Sequence, residues 1–258
     1  IDGVQIFGKD IEIMKKTALY VESLGVKKID VNMGCPMPKI TKNGYGAALL
    51  SDPQHARELM FILRESLKPE TDLSMKIRVG YGEHKNPIYF AKLAEELKLC
   101  HITVHGRTRE QMYSGFANWE TIKEIKESVS IPVIGNGDIF TAKDAIEKVE
   151  FSGVDGIMLA RGIFGNPWLV GQIRDAFNGK DIIEPSFDDK IDLAIKHISY
   201  VKEDRPDKEF YYEIRKHLCW YIKGMKKAAS IKDEINKTDS YDKLIELFER
   251  LRELNKNN

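Results

Sequence analysis

Apolar positions along the chain follow two patterns that change at about residue 178. Up to there, short apolar runs alternate with amphipathic segments, the signature of repeated βα units around a parallel sheet. Six units are readable, with strands predicted at residues 4–7, 28–33, 73–79, 101–105, 132–135 and 156–159. Ile11, Met14, Ala18, Val21 and Leu24 recur at helical spacing and predict a helix packed on the sheet. Asp10 is placed to cap it and Gly25 to end it, while Asp52-Pro53 and Asn86-Pro87 each set a capping side chain before a proline. Thr141 with Asp144 is a weaker start signal. Residues 179–186 read as a linker, and beyond them the pattern is helical throughout: 187–203, 208–228 and 241–255, joined by segments containing Pro206 and Ser240. The expected organisation is a βα domain over 1–178, the linker, and an all-α domain over 187–258.

Six βα units could build a doubly wound sheet, with ligands at its switch point, or most of an eight-stranded barrel, which gathers every strand end at one face. Here all six strand ends carry chemically useful groups: Gln5; Asn32 and Cys35; Lys76 and Arg78; His105 and Arg107; Asn136 and Asp138; and Arg161. That distribution favours the barrel. The last two ends, Gly135-Asn136-Gly137-Asp138 and Ala160-Arg161-Gly162, also carry glycines that can bring backbone N–H groups close to an anion. Barrels commonly bind phosphate after strands seven and eight. The expected fold class is therefore α/β, a (β/α)8 TIM barrel lacking its first two βα units in this chain and followed by a C-terminal all-α helical domain.

Composition narrows the class. With 42% hydrophobic and 31% charged residues over 258 positions, the chain reads as a soluble globular protein with a sizeable core. No run approaches the ~18 apolar residues of a membrane span, and no export signal opens it, so a cytoplasmic location is expected. Cys35, Cys100 and Cys219 are odd in number and widely spaced, which argues against a disulfide scaffold or zinc site. Lys+Arg and Asp+Glu balance at 40 each, so any nucleic-acid site must come from local clustering. One such cluster exists: residues 215–232 hold six cations, Arg215, Lys216, Lys223, Lys226, Lys227 and Lys232, and no Asp or Glu. On one continuous helix Lys216, Trp220, Lys223 and Lys227 would share a face, with Ile214, Leu218, Ile222 and Met225 packing inward. A solvated cationic face is the competing reading.

Candidate chemistry centres on the strand ends. Cys35 follows the second strand, Pro36 and Pro38 stiffen the exit, and the glycine-containing segment 42–47 is expected to be a mobile catalytic loop. A thiol with the reference pKa of about 8.5 is mostly protonated at neutral pH and can serve as an acid; the competing reading is a buried structural thiol. In Lys76-Ile77-Arg78 the alternation sends both cations to the barrel's inside or mouth, where they call for an anion, either a bound ligand or a neighbouring carboxylate such as Glu83. His105 repeats the logic one strand later, catalytic or structural in equal measure. Asn136-Gly137-Asp138 could be a simple turn, but with Lys76, His105 and Arg161 it supplies donors and positive charge for a phosphorylated cofactor.

The order of these motifs resembles a family. Val4-Gln5-Ile6-Phe7-Gly8, Asn32-Met33-Gly34-Cys35-Pro36, Lys76-Ile77-Arg78, Thr103-Val104-His105-Gly106-Arg107-Thr108, Gly135-Asn136-Gly137-Asp138-Ile139, Ala160-Arg161-Gly162 and, in the tail, Arg215-Lys216-His217-Leu218 are similar in sequence and order to segments of the bacterial tRNA-dihydrouridine synthases. The resemblance implies FMN at the barrel mouth, reduced by NADPH, and hydride transfer to a uracil of tRNA while Cys35 protonates the adjacent carbon. By position, Gln5, Lys76 and His105 contact the flavin; Asn136, Gly137, Asp138, Ala160 and Arg161 hold its phosphate; Asn32 and Arg78 meet the uracil; and Arg215 and Lys216 meet the RNA, with the protein otherwise a monomer. The family's opening Pro-Met-Ala-Gly-like segment has no match here. Two other readings stand beside this one: an FMN-barrel reductase of a small pyrimidine or enone, and a non-catalytic RNA-binding fragment.

Overall fold

The computed structural model describes residues 2–205 and 207–256; Pro206, expected at a helix joint, lies outside them. Its contacts divide the chain into two compact units. One runs to Ile139 and resumes over Lys143–Ala160; the other takes Phe140–Ala142 and the residues from Arg161 on.

The first unit is built on six strands: β1 (Val4–Ile6), β2 (Lys28–Met33), β3 (Asp72–Arg78), β4 (His101–His105), β5 (Val133–Asn136) and β6 (Gly156–Met158). All neighbours are parallel and the spatial order is the chain order. That sequence of strands has no reversal, so among the described residues there is no switch point of the doubly wound kind. It is an α/β fold with the strand succession of a (β/α) barrel. The predicted strands at 28–33 and 101–105 match β2 and β4 residue for residue, and the others differ by one position at one or both ends.

Helices α1 (Ile11–Ser23), α3 (Pro53–Ser66), α4 (Pro87–Glu96), α5 (Trp119–Ser128) and α6 (Ala142–Ser152) connect the strands, with a short α2 (Pro38–Thr41) and a 3-10 turn (Gly46–Ser51) between β2 and α3. The expected caps are in place: Asp10 accepts Ile13 N–H at 2.8 Å, Asp52 accepts His55 N–H at 3.0 Å and Asn86 accepts Tyr89 N–H at 3.2 Å. Gly25 follows α1 at φ +85°, where a side chain would be strained.

Strand periodicity sorts the sheet into two faces. Ile29, Val31 and Met33 of β2, Leu73, Met75 and Ile77 of β3, and Ile102 and Val104 of β4 are buried on one of them. Burying a side chain of this size stabilises by about 1.5–3 kcal/mol. The intervening positions are polar on the other face: Asp30 and Asn32, then Ser74, Lys76 and Arg78, then Thr103 and His105.

The second unit contains α7 (Leu169–Phe177), α8 (Phe187–Asp204), α9 (Asp207–Tyr221), α10 (Ala228–Lys237) and α11 (Tyr241–Lys256). Ser186 caps α8 through a reciprocal box with Asp189: Asp189 N–H donates to Ser186 Oγ at 3.1 Å and Ser186 N–H to Asp189 Oδ2 at 2.8 Å. Residues at three- and four-position spacing fill one core: Ile191, Ala194 and Ile198; Phe210, Ile214 and Leu218; Ile231 and Ile235; and Leu244, Phe248 and Leu251. The helix expected over 208–228 is interrupted. It ends at Tyr221, Gly224 and Lys227 take φ of +85° and +59°, and α10 starts afresh at Ala228. Ile214, Leu218 and Ile222 are buried as expected, but Lys223 and Lys227 lie beyond the end of α9; Lys223 Nζ still sits 5.5 Å from the Trp220 ring centre.

Candidate active site

Strand register brings the polar face together. Gln5 lies beside Asp30, Asn32 beside Lys76, Lys76 beside Thr103, and Arg78 beside His105, which in turn neighbours Asn136. Because these strands are parallel and β3 to β6 end level, Arg78, His105, Asn136 and Met158 being register partners in turn, their last residues and the loops that follow assemble at one end of the sheet.

Hydrogen bonds link Asn32, Gln5, Asp30 and Ser74 across the first three strands. Gln5 Nε2 donates to Asp30 Oδ2 at 2.7 Å, Asn32 Nδ2 donates to Gln5 Oε1 at 2.9 Å, and Ser74 Oγ donates to Asp30 Oδ1 at 2.7 Å. Asn32 then turns its oxygen to the chain ahead, accepting Gly34 N–H at 3.1 Å and Cys35 N–H at 2.9 Å. The half-buried Cys35 is thus fixed by its own strand end. Its carbonyl accepts Ala47 N–H at 3.0 Å, so the segment after it folds back on it. Gly46 makes that approach possible: at φ +61°, a Cβ there would sit 2.9 Å from Cys35 O. The segment expected as a loop at 42–47 includes the start of the buried 3-10 turn.

Lys76 Nζ donates to Asn136 Oδ1 at 3.3 Å, and Asn136 Nδ2 donates to Met158 O at 2.7 Å, linking β3 through β5 to β6. Burial, followed by repulsion from Arg78, lowers the Lys76 pKa to about 8, with Asp30 and Cys35 pulling the other way. Asp30 was not among the residues singled out from sequence. The signal was available: Asp30 and Asn32 alternate on β2 as Lys76 and Arg78 do on β3.

Arg78 is 3% exposed and engages the backbone. Its Nε donates to Gly34 O at 2.8 Å, and Nη1 to Thr108 O at 2.9 Å and Met112 O at 3.0 Å, with the Tyr113 ring 5.9 Å away. The carboxylate partner weighed from sequence, Glu83, is not among these. Arg107, 2% exposed, does the same for the next stretch, donating to Ser114 O at 3.1 Å, to Gly115 O at 2.7 Å and to the Asp138 carboxylate at 2.8 Å.

After β5 the backbone turns sharply: Gly137 has φ +128° and Asp138 φ +52°. A Cβ on Gly137 would meet Ala117 Cβ at 2.6 Å and the His105 ring at 3.2 Å, so only glycine fits between them. His105 is buried beside this turn. Successive residues of such unusual φ can form an anion-binding concavity. Arg107 Nη1 is buried here with no hydrogen-bond partner among the described residues, a donor suited to a group rich in acceptors.

Ala160 closes the first unit; Arg161 opens the second and lies over the Phe140 ring at 5.9 Å. Arg215 and Lys216 are on α9 of the second unit. Arg215 Nη2 donates to Thr238 O and its guanidinium lies 5.6 Å from the Tyr211 ring centre, while Lys216 Nζ sits 4.0 Å from the Tyr212 ring centre. No group of His, Cys, Asp and Glu among the described residues could hold a metal ion, and none of their helices is long and apolar enough to cross a membrane.

A sequentially ordered parallel sheet with its polar side chains collected at the C-terminal strand ends has the anatomy of a barrel-type α/β enzyme. The family model for dihydrouridine synthase (Dus) matches residues 2–256, and the chain belongs to that family. It is 36% identical over 259 residues to a probable tRNA-dihydrouridine synthase of Rickettsia conorii, an alignment spanning 98% of this chain and 78% of that one. It is 35% identical over 252 residues to tRNA-dihydrouridine synthase B of Pasteurella multocida, spanning 96% of this chain and 75% of that one. Among solved structures it is similar to 2-naphthoyl-CoA reductase in complex with 2-naphthoyl-CoA, with a TM-score of 0.51 at 14% identity, covering 67% of this chain and 30% of that one. That likeness concerns the fold alone.

Proposed function

We propose that the protein is a tRNA-dihydrouridine synthase that uses FMN and NADPH, with Cys35 as the proton donor to uracil. The observation that carries the reading is the fixing of Cys35 by Asn32, one strand away from Lys76, within a family defined by this reaction. The chain corresponds to a (β/α)8 barrel lacking its first two units over 1–178, a linker over 179–186 and a tRNA-binding helical domain over 187–258.

The residues fit a phosphorylated flavin. The Asn136-Gly137-Asp138 turn, the unpaired Arg107 donor and, by resemblance, Ala160 and Arg161 suit its phosphate. Gln5, Lys76 and His105 suit its ring, since Lys76 is a part-buried cation whose ammonium donates to a neutral amide, Asn136. When bound and reduced by NADPH, the flavin supplies a hydride equivalent.

Cys35 then has one task. Negative charge that builds on a conjugated uracil ring is quenched by a proton at the adjacent carbon, and the thiol hydrogen is positioned to be that proton. Asn32 holds the Cys35 backbone and orients the uracil; Arg78 supports the same turn through Gly34 O and meets the base from β3. A uridine inside folded RNA must first leave its stack, so binding energy from elsewhere on the RNA is required. Arg215 and Lys216 on the helical domain supply part of it by contact with phosphates. The enzyme acts as a monomer in the cytoplasm.

The test is direct. Protein loaded with FMN is incubated with NADPH and an unmodified tRNA transcript, and nucleosides are analysed by mass spectrometry. Dihydrouridine in the tRNA is expected; turnover of free uracil or a small enone with no tRNA product would overturn the reading.

A further inference from the structure

We infer that Asp138 and Arg107 are a positioning pair: together they hold the Gly137-Asp138 turn in the shape that presents its backbone N–H groups to a phosphate, and the Asp138 carboxylate does not itself face that anion. The inference rests on the reading of this turn as the FMN phosphate cradle.

The turn needs holding. Aspartate tolerates left-handed φ better than most residues, but φ +52° immediately after a glycine at +128° persists only where the surroundings over-determine it. Three contacts do so. The Asp138 carboxylate accepts Arg107 Nη2–H at 2.8 Å and Ala117 N–H at 2.7 Å, and Gly137 O accepts Trp119 Nε1–H at 3.0 Å. The Arg107 guanidinium also grips Ser114 O and Gly115 O, so one buried cation fastens the segment after β4 to the turn after β5.

Charge explains why an acid stands in an anion cradle. A lone carboxylate there would repel a phosphate. Paired with Arg107, it contributes geometry while the pair as a whole is neutral, and its oxygens are occupied by donors from Arg107 and Ala117. The phosphate is left to the backbone N–H groups and to the remaining Arg107 donor.

Two conservative variants of the full chain test this, Asp138→Asn and Arg107→Lys. Affinities for FMN and for riboflavin, which has the same ring system and no phosphate, are measured by quenching of flavin fluorescence. Both variants are expected to weaken FMN binding by about tenfold or more, the scale of one charge-assisted hydrogen bond, while riboflavin binding changes less than about twofold. Equal losses for the two ligands would mean a merely structural role, and tighter FMN binding by Asp138→Asn would mean that the carboxylate faces the phosphate; either overturns the pair. Undiminished FMN preference in both variants also overturns it while leaving the cradle standing. Equal wild-type affinity for FMN and riboflavin removes the cradle reading, and the pair's role with it.

Discussion

The side-chain oxygen of Asn32 accepts the backbone N–H of Cys35 at 2.9 Å, and the same side chain donates back to Gln5 on the neighbouring strand at 2.9 Å. The thiol is thereby tied to the rigid sheet by a residue three positions before it. Asn32→Ala removes both ties. Tighter positioning is worth up to about 10²-fold in rate per ångström, so dihydrouridine formation is expected to fall by roughly that factor. Melting temperature should move little, because Asn32 is only half-buried. An unchanged rate, measured by mass spectrometry of the product tRNA, would contradict this role.

Arg78 carries a different load. Its guanidinium is buried and serves Gly34, Thr108 and Met112, two segments of chain that share no strand pairing. Arg78→Met keeps apolar bulk and loses every donor. The stranded carbonyls are expected to cost about 3 kcal/mol or more, read as a lower urea midpoint. A midpoint equal to the wild type would show that the carbonyls find other partners.

Lys76 makes stability depend on alkaline pH. Its folded pKa is about 8 against an ordinary 10.5, chiefly through burial. Between those values the unfolded chain holds more protons, so stability rises with pH across that window. Below about pH 8 the folded protein carries the full cost of a buried ammonium, on the order of 3 kcal/mol at ~1.36 kcal/mol per pH unit. Lys76→Met is therefore expected to exceed the wild type in stability at pH 7 and to lose that advantage at about pH 10. Urea midpoints at the two pH values check it, and an unchanged difference between the proteins would contradict it.

Arg215 and Lys216 should separate. Arg215 is tied to Thr238 O and stacked on Tyr211, whereas Lys216 rests on Tyr212, a residue 73% exposed. Lys216→Ala is expected to weaken tRNA binding and reduce its salt slope by about one, with the melting temperature unchanged. Arg215→Ala should lower both affinity and melting temperature. Filter binding over a salt series, beside thermal melts, distinguishes them.

Much of this was legible in the chain. Alternation marks β2 and β4 to the residue because each apolar position there is fully buried on one face. Asp10, Asp52 and Asn86 announce helix starts through local capping that spans three residues. The break between α9 and α10 was hidden, since apolar spacing continues through Ile222 and Met225 while the chain turns at Gly224 and at Lys227, a non-glycine residue with φ +59°. The partners of Arg78 and Arg107 were hidden for another reason. Apart from the Asp138 carboxylate beside Arg107, they are backbone carbonyls up to 44 residues away, and carbonyls have no sequence signature.

The central claim is the role of Cys35 as acid, and one comparison tests it most directly: Cys35→Ala against wild type, both loaded with FMN, each given NADPH and unmodified tRNA. The account predicts retained flavin absorbance and a loss of dihydrouridine formation on the order of 10²–10⁴-fold, the range for a positioned general acid. A Cys35→Ala protein that forms dihydrouridine at the wild-type rate would contradict it.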